Sequence, residues 1–467
     1  MRISVIGCGY LGAVHATCMA QLGHDVVGID VDAAKVAALA AARPPFFEPG
    51  LGELLESTLA TGRLRFSTDI ADAADAEVHF IAVGTPQLAG SDAADLSYVR
   101  AAIYSLVPVL APGALVVGKS TVPVGTAAML SHVIQPTGAR LAWNPEFLRE
   151  GFAISDTVSP DRIVYGVAPG DALAEAQLDE VYAGALAVGT PKVVTDYATA
   201  ELVKVSANAF LATKISFINA MAEIAEATGA DVTQLADAIG HDARIGRRFL
   251  NAGLGFGGGC LPKDIRAFMA RAEELEVDQA LTFLRSVDAI NLRRRDRMVD
   301  LAREAVGGSL AGKRAAVLGL AFKPNSDDVR DSPALDVAAR LVAAGASVRA
   351  TDPKAIETAR LRHPELHYVE DWTDAVRGAD VVLVLTEWDD YRRLDPDAVG
   401  SVVTRRAIVD GRNCLDPVQW REAGWHYRAL GRPPAVGAEH PGAVQPEAER
   451  GAEREADHVR GDVVRQQ

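Results

Sequence analysis

Residues 2–12 read RISVIGCGYLG, an apolar run of strand length followed at once by the spacing GxGxxG. A helical pattern continues from this motif to residue 19. The order of strand, glycine-rich turn and helix predicts a βα unit whose turn amides and helix N-terminus can face a pyrophosphate. This stretch therefore predicts a nucleotide-binding α/β domain at the start of the chain.

The second apolar run, residues 26–29, ends at Asp30. A carboxylate about 20 residues after the glycines is placed to bind ribose hydroxyls and to repel a 2′-phosphate. The pattern favours NAD over NADP, with Lys35 as a candidate contact at the ribose or phosphate edge. The alternative is a glycine-rich turn with a solvated aspartate and a solvated helix lysine.

The alternation of short apolar runs and helical patterns returns near the C-terminus, where residues 315–318 and 348–351 flank a helical pattern and the latter run ends at Asp352. Between the halves, residues 199–227 contain no proline or glycine and repeat apolar residues three and four apart. The predicted fold is α/β, with two Rossmann-like doubly wound domains joined by a long central helix of roughly 40 Å. That helix is expected either to contact a partner subunit or to serve as a buried connector.

Four parts are expected along the chain. Residues 1–195 form an NAD-binding Rossmann-like domain, residues 196–298 a central helical region, and residues 299–430 a second Rossmann-like domain. From residue 431 the composition shifts to Pro, Gly, Ala, Glu and Arg with few large apolar residues. Residues 431–467 are therefore expected to form a disordered tail.

The bulk composition argues against several classes of function. The formal net charge of -15 opposes binding to nucleic acid or acidic membrane surfaces, so an anionic ligand must meet a local basic cluster. No apolar run approaches the roughly 20 residues of a membrane span, and a strand-like segment stands where a secretion signal would be. Four scattered cysteines without a CxxC pair predict neither a disulfide scaffold nor a metal site, and they fit a reducing cytoplasm.

A second informative stretch, GFGGGCLPKD at residues 255–264, brings Cys260 to the start of a helical pattern. Three consecutive glycines indicate a loop forced close to a ligand or into positive φ. Helix amides at this position favour a thiolate, the form that attacks carbonyl carbon. Lys204 and Asn208, four apart on the long helix, can present an ammonium and an amide to an oxyanion. A buried structural thiol is the alternative for Cys260.

Six segments of the sequence, in order over residues 1–430, resemble the UDP-glucose/GDP-mannose dehydrogenase family. They are residues 7–12, VGTP at 83–86, KSTVP at 119–123, NPEFLREG at 144–151, the Cys260 loop and GLAFKP at 319–324. Several ordered motifs are far more specific than a lone GxGxxG.

The resemblance implies an enzyme that uses NAD to oxidise a sugar hydroxymethyl group to a carboxylate, with UDP-glucose as the expected substrate. Cys260 would capture the intermediate aldehyde as a thiohemiacetal, and a second oxidation would give a thioester that water cleaves. The residues that the resemblance assigns to catalysis are Cys260, Lys204, Asn208, Asp264, Thr121 and Glu146.

The implied roles of these side chains differ. Lys204 and Asn208 would stabilise oxyanions, and Asp264 would assist water or a proton transfer. Thr121 and Glu146 would position a water molecule or act in general acid–base catalysis. The alternatives are a helix-capping role for Asp264 and simple binding of backbone amides for Glu146.

The resemblance also assigns binding residues. Those assigned to the cofactor are Gly7, Gly9, Tyr10, Leu11, Gly12, Asp30, Lys35, Thr85, Thr121, Glu150, Lys263 and Arg330. Those assigned to the substrate are Glu146, Phe147, Leu148, Arg149, Glu150, Lys204, Asn208, Arg244, Phe249, Asn251, Gly257, Cys260, Phe322, Lys323 and Arg412. Among them, Arg244 resembles an arginine that reaches the substrate across a dimer interface, which implies a homodimer or a higher homo-oligomer.

One departure from the family pattern lies beside the nucleophile. Many relatives have serine immediately before the cysteine, whereas this chain has Gly259. The missing hydroxyl removes a possible cap or water contact, and the loop is expected to be more mobile.

Three alternatives remain open at the level of sequence. The substrate can be GDP-mannose or a UDP-N-acetylhexosamine, because no residue pattern measures the shape of the sugar pocket. The chain can also be a non-catalytic NAD-binding protein, although retention of the catalytic set argues against this. The third alternative is a two-electron hydroxyacid dehydrogenase, for which Cys260 would be dispensable.

Overall fold

Two mostly parallel sheets form the two halves of the computed structural model, which describes residues 1–433. The strands of the first sheet are β1 (Arg2–Ile6), β2 (Asp25–Ile29), β3 (Leu64–Ser67), β4 (Val78–Ile81), β5 (Leu115–Gly118), β6 (Arg140–Trp143), β7 (Ile163–Val167) and β8 (Lys192–Thr195). They lie in the order β3-β2-β1-β4-β5-β6-β7-β8. Only β7 runs antiparallel to a neighbour, β6, among these described strands.

The second sheet repeats this plan with six strands among the described residues. They are β9 (Arg314–Leu318), β10 (Ser347–Thr351), β11 (His367–Tyr368), β12 (Val381–Val384), β13 (Ala407–Asp410) and β14 (His426–Ala429). Their order is β11-β10-β9-β12-β13-β14, and all neighbours are parallel. This order is that of a dinucleotide-binding sheet, in which ligands bind beyond the carboxyl ends of the strands.

Helices cover both faces of each sheet. Those of the first half are α1 (Tyr10–Gln21), α2 (Ala33–Ala40), α3 (Leu51–Ala60), α4 (Ser97–Leu106), α5 (Thr126–Ile134), α6 (Ala153–Val158), α7 (Ala172–Val181) and α8 (Ala183–Ala187). Along β5, Leu115 and Val117 enter one apolar core while Val116 enters the other, because successive strand residues point to opposite faces. Cores on both faces confirm the doubly wound fold.

The central region is built on two long helices. Its helices are α9 (Tyr197–Thr228), α10 (Val232–Gly240), α11 (Leu261–Glu274) and α12 (Thr282–Ala305). Asp196 caps α9 by accepting a hydrogen bond from the Thr199 amide, and the helix ends at Gly229 with φ +77°. This confirms the predicted long helix, whereas α12, which packs along it, was not predicted.

The remaining helices surround the second sheet, and short 3-10 turns complete the secondary structure. These helices are α13 (Pro333–Ala343), α14 (Ile356–Arg362), α15 (Trp372–Val376), α16 (Asp389–Arg392), α17 (Pro396–Gly400) and α18 (Pro417–Glu422). The 3-10 turns are Ile70–Ala73, Val107–Val109, Gln135–Thr137 and Asp278–Leu281. In residues 1–433, none of the helices combines the length and apolar character that a membrane crossing requires.

The predicted tail lies outside the described residues from position 434 onward. Residues 431–433 belong instead to the packed chain. The Gly431 amide donates to Glu226 at 2.9 Å, and Arg432 pairs with Asp231 at 3.2 Å. Gly431 and Arg432, which open the expected tail, are therefore held against the central helices.

Candidate active site

The glycine turn after β1 has the geometry that a dinucleotide needs. Gly7 has φ +93°, and a Cβ on Gly12 would collide with the Gly7 carbonyl oxygen. A Cβ on Gly9 would meet open space, so the Gly9 backbone is accessible just before α1 begins at Tyr10. The turn therefore offers a cradle at a helix N-terminus that fits a pyrophosphate.

Asp30 lies beside this turn, at the end of β2. Its carboxylate accepts hydrogen bonds from the Cys8 amide at 2.8 Å and from Lys35 Nζ at 3.0 Å. Burial raises the pKa of Asp30, but the Asp32 amide, Lys35 and the Cys8 amide outweigh burial and lower it. The site thus keeps a charged carboxylate where a ribose is expected.

Glu48 is a buried carboxylate that sequence reasoning missed. It accepts hydrogen bonds from the hydroxyl of Tyr10, from the Gly151 amide at 2.6 Å and from the Ala153 amide at 2.7 Å. It therefore joins the glycine turn to the segment that follows Glu146. The only sequence feature that could have drawn attention to Glu48 is the turn-forming pair Pro49-Gly50 that follows it.

Cys260 stands at the N-cap of α11, as the sequence predicts. The glycine loop before it is clamped from α12 by Asn291, a fully buried residue that sequence reasoning also missed. Asn291 Oδ1 accepts from the Phe256 amide at 2.7 Å, and its Nδ2 donates to the Phe256 carbonyl at 2.9 Å. A Cβ on Gly257 would collide with the Asp331 carbonyl oxygen, so the loop is also pressed against a second segment.

Two pairs of side chains flank the nucleophile. Lys204 Nζ lies 2.9 Å from Glu146 Oε1, and both residues are largely buried. Asn208 Nδ2 donates to Asp264 Oδ2 at 2.6 Å. Glu146 Oε2 also accepts from the Leu148 amide at 2.8 Å, so this carboxylate binds both a backbone amide and a cation. The structure thus brings together four of the six predicted catalytic side chains in two contacting pairs.

The state of the Cys260 thiol differs from expectation. Cys260 is accessible to solvent although protein crowds around it, as for a residue facing a cleft. Burial, followed by Glu146 and Asp264, raises the pKa of the thiol to about 12, against the opposing effect of Lys204. A raised pKa runs against the expectation that the helix N-terminus favours a thiolate here, because burial and two carboxylates oppose ionisation of the thiol.

Lys204 responds to the same charges in the opposite direction. Burial lowers its pKa, but Glu146, a Cys260 thiolate and Asp264 outweigh burial and raise it. The ammonium form is thus retained beside the sulfur. A retained cation is what stabilisation of an oxyanion requires.

The predicted cofactor residues Thr85, Thr121 and Lys263 form a chain that leads towards Asp264. Thr85 Oγ1 donates to the Thr121 carbonyl oxygen at 2.8 Å. Lys263 Nζ donates to Asp264 Oδ1 at 2.7 Å and to Thr85 Oγ1 at 3.4 Å. The glycine-turn half and α11 are therefore linked through polar contacts.

Glu150 and Arg330 face each other between the two halves. Arg330 Nη2 lies 3.3 Å from Glu150 Oε1 and 2.7 Å from Asp328 Oδ2, and Ser326 donates to Glu150 at 2.9 Å. Burial and then Asp328 raise the pKa of Glu150 to about 7, against Arg330, Lys323 and Ser326. Asp328 and Ser326 were not predicted.

Arg412 holds three segments together on the other side of the loop. Its guanidinium donates to the carbonyls of Leu385 at 2.8 Å, Gly255 at 3.0 Å and Phe322 at 3.1 Å. The Lys323 ammonium lies 5.2 Å from the centre of the Phe322 ring. Two predicted substrate residues, Arg412 and Phe322, are therefore in direct contact.

A cavity of about 380 Å³ opens beside Arg412. The residues that line it are Thr233, Arg247, Leu250, Asn251, Ala252, Gly253, Glu387, Arg392, Arg412, Asn413, Cys414 and Arg432. The cavity combines several arginines with the predicted substrate residue Asn251, whose Oδ1 accepts from Arg247 at 2.8 Å. This cationic lining suits an anionic ligand despite the negative charge of the whole chain.

Some predicted binding residues lie apart from these contacts. Arg244 is 89% exposed and pairs with Asp242. Arg149 is bound by Asp156 at 2.7 Å near the surface. Phe249 is partly exposed with φ +66°, a conformation rarely adopted by a bulky side chain. Phe147, by contrast, lies 5.6 Å from Lys204 Nζ and belongs to the cluster.

Two nucleotide-type sheets with an accessible cysteine between charged partners define the class of dinucleotide-dependent dehydrogenases. Three family models match successive parts of the chain. Residues 1–208 match the NAD binding domain, residues 198–293 the central domain and residues 316–417 the UDP binding domain of the UDP-glucose/GDP-mannose dehydrogenase family. The chain belongs to this family.

Individual relatives match over nearly their whole length. A UDP-glucose 6-dehydrogenase of Rhizobium meliloti is 43% identical over 93% of this chain and 100% of its own. A UDP-glucose 6-dehydrogenase of Bacillus subtilis is 41% identical over 95% and 100%. Among solved structures, a UDP-glucose dehydrogenase from Pyrobaculum islandicum has 41% identity and a TM-score of 0.84, over 92% of this chain and 98% of that one.

Proposed function

We propose that this protein is an NAD-dependent UDP-glucose 6-dehydrogenase that forms UDP-glucuronate through a covalent adduct on Cys260. Family membership and the two full-length relatives support the reaction. One observation carries the mechanism: the accessible sulfur at the start of α11 lies among Lys204, Glu146 and Asp264. Such a set supplies a nucleophile, a cation and carboxylates in one cleft.

The first stage oxidises the sugar C6 alcohol to an aldehyde. Glu146, which bonds Lys204 at 2.9 Å, is placed to accept the hydroxyl proton directly or through a water that Thr121 positions. NAD, held on the glycine turn beside Asp30, supplies the electron acceptor when bound. Lys204 then stabilises negative charge on the C6 oxygen.

The second stage proceeds on sulfur. Cys260 Sγ adds to the aldehyde carbon while its proton passes to the C6 oxygen, which gives a thiohemiacetal. Loss of hydride from that carbon, to NAD when it is bound, and of the hydroxyl proton then gives a thioester. Lys204 and Asn208 hold the C6 oxygen, since both side chains point from α9 to the segment around Cys260. Tethering prevents loss of a reactive aldehyde between the two oxidations.

Hydrolysis completes the cycle. Asp264, fixed by Asn208 at 2.6 Å and Lys263 at 2.7 Å, takes a proton from the attacking water. The water oxygen forms a bond to the thioester carbon, and the carbon–sulfur bond breaks. The carboxylate leaves, and Cys260 regains its proton.

The nucleotide end of the substrate is assigned to the second half of the chain. Arg412 donates to the Gly255 carbonyl of the glycine loop and to the Phe322 carbonyl, and Lys323 lies over the Phe322 ring. The cavity beside Arg412 and Asn251 takes the nucleoside. Residues 1–195 then carry most of the cofactor site, residues 196–298 the nucleophile and its partners on the central helices, and residues 299–430 the UDP site, while Glu146 and Thr121 join catalysis from the first part.

The assembly is proposed to be at least a homodimer that forms on α9. Phe210, Phe217 and Ile224 are exposed by 67%, 48% and 56% and recur every seven residues, which makes one apolar stripe. Lys214 on α9 donates to the Ile245 carbonyl at 2.9 Å, so the exposed Arg244 lies on a segment beside this helix, and it is proposed to reach the substrate of a second copy. Free cysteines suit the cytoplasm as the proposed location.

The test supplies NAD with UDP-glucose, UDP-N-acetylglucosamine, UDP-N-acetylmannosamine and GDP-mannose in turn. We expect turnover on UDP-glucose, with two NADH formed for each UDP-glucuronate. One NADH per product, with an aldehyde or ketone released, would reject the mechanism. Preference for another nucleotide sugar would reject the substrate and leave the covalent chemistry standing.

A further inference from the structure

Gly259, the residue before the nucleophile, does not need to be glycine for backbone reasons. Its neighbours Gly255 and Gly258 have φ of +92° and +82°, which L side chains rarely adopt. Gly259 does not share that conformation. Its lack of a side chain must therefore matter through space rather than through torsion angles.

The space is filled by Arg330. A Cβ built on Gly259 would lie 2.5 Å from both Nη1 and Nη2 of Arg330 and closer still to its Cζ. The guanidinium therefore occupies the volume that any side chain at position 259 would require. Alanine and serine both demand that this group move.

Arg330 is held in this place at both ends. Its Nε and Nη2 donate to the Asp328 carboxylate at 2.9 and 2.7 Å, and Nη2 also reaches Glu150 at 3.3 Å. Its own carbonyl accepts from the Gly258 amide at 2.8 Å. The cation is thus fixed against the same loop that carries the sulfur.

We infer that Gly259 is a positioning residue whose missing side chain lets the Arg330 guanidinium lie one residue from Cys260, where it stabilises the thiolate. This inference rests on the proposed role of Cys260 as nucleophile. Glycine at this position, where many relatives have serine, would then favour catalysis, because a side chain at residue 259 would separate the Arg330 guanidinium from the Cys260 sulfur.

Electrostatic reciprocity supports this pairing. Burial lowers the pKa of Arg330, but Asp328, Glu150 and a Cys260 thiolate outweigh burial and raise it. An interaction between two charges has the same strength for both partners, so Arg330 must favour the thiolate as the thiolate favours Arg330. Arg330 is therefore a second and weaker cation near the sulfur, since Lys204 is the cation with the larger effect on the pKa of Cys260.

The test measures alkylation of Cys260 by iodoacetamide from pH 6 to 10, without substrate or NAD. The thiolate sulfur displaces iodide, its proton having gone to the buffer, and peptide mass spectrometry follows Cys260 separately from the other cysteines. Gly259→Ala should slow the reaction about threefold at pH 8 and shift its pH profile upward, a modest effect because Arg330 is partly exposed to screening solvent. Gly184→Ala is the matched control, since a Cβ there meets nothing.

A double-variant cycle decides whether the effect passes through Arg330. Arg330→Gln should slow alkylation as Gly259→Ala does, and Arg330→Lys should restore part of the rate. Adding Gly259→Ala to Arg330→Gln should then change nothing further. If Gly259→Ala does not fold, the Gln and Lys variants alone still decide the charge effect.

An alkylation rate that matches the parent in both single variants would overturn the inference, and so would equal slowing by Gly259→Ala in both backgrounds. A higher KM for NAD with unchanged alkylation would make Arg330 a cofactor ligand only, which also overturns it. Because alkylation needs no turnover, it can fail while UDP-glucuronate is still formed. Failure of the proposed function would instead appear as absence of that product.

Discussion

Replacement of Asn291 by leucine removes the clamp on the nucleophile loop while keeping nearly the same shape. Asn291 lies on α12 and is fully buried, and its amide makes two hydrogen bonds to the Phe256 backbone, at 2.7 and 2.9 Å. Leucine makes neither bond. The Phe256 amide and carbonyl, both enclosed beside α12, lose their partners.

The expected cost follows from these two groups. A buried polar group left without a partner costs about 1–3 kcal/mol, so the pair costs about 2–6 kcal/mol if the loop stays in place. The loop can avoid this cost by moving so that water reaches the two groups. Because Cys260 is only four residues after Phe256, this movement also displaces Cys260. A displacement near 1 Å reduces turnover about 100-fold. We therefore expect kcat to fall by about that factor for Asn291→Leu.

The assay combines steady-state kcat on UDP-glucose with the apparent melting temperature. Ser216→Ala is the matched control: Ser216 is buried on α9 and donates to the Val287 carbonyl of α12 at 2.7 Å, so it joins the same two helices without bonding the loop backbone. This variant should lose melting temperature and keep its kcat. Asn291→Asp, which retains the acceptor for the Phe256 amide, should fall between parent and leucine variant in kcat.

A leucine variant that melts earlier but turns over at the parent rate would refute the clamp. Equal loss of kcat in the Ser216 and Asn291 variants would refute it too, since general loosening of the helix pair would then explain both.

Three further predictions concern the cation, the carboxyl and the cofactor turn. Lys204→Met should lower kcat by about 10²- to 10³-fold, since an oxyanion donor is lost and Glu146 loses the cation that it pairs with. A loss below tenfold would contradict that role. For Glu150, the folded-state pKa of about 7 lies above the ordinary value of 4.5, so its ionisation costs stability as pH rises between them. The stability of Glu150→Gln relative to the parent should therefore increase from pH 5 to pH 8, by up to about 3 kcal/mol, and its melting temperature should rise relative to the parent in the same direction. A relative stability that decreases as pH rises would contradict the raised pKa of Glu150. Gly12→Ala should abolish NAD binding in calorimetry because its Cβ would meet the Gly7 carbonyl, whereas Gly184→Ala should bind as the parent does.

The fold could be predicted because its signals are local. Short apolar runs between helical patterns specify strands buried on both faces, and residues 199–227 lack any helix breaker. The antiparallel strand β7 and the packing of α12 on α9 depend on contacts between distant segments, which periodicity does not encode.

The candidate site could be predicted only where a residue type carries its own chemistry. Cys260 and the glycines before it are conspicuous in sequence, whereas Asn291 acts on the backbone of Phe256, 35 positions away, and leaves no pattern. The expected thiolate failed for a related reason. The charge on the sulfur depends on the sum of burial, Glu146, Asp264 and Lys204, and only the structure supplies that sum.

The central claim is that Cys260 carries the sugar between its two oxidations. The Asp264→Asn variant should hydrolyse the thioester slowly. It is mixed with UDP-glucose and NAD, quenched in acid and digested, and the mass of the Cys260 peptide is measured. The expected peptide is heavier by a UDP-glucuronyl group, which hydroxylamine removes. An unmodified Cys260 peptide in an enzyme that still accumulates UDP-glucuronate would contradict it.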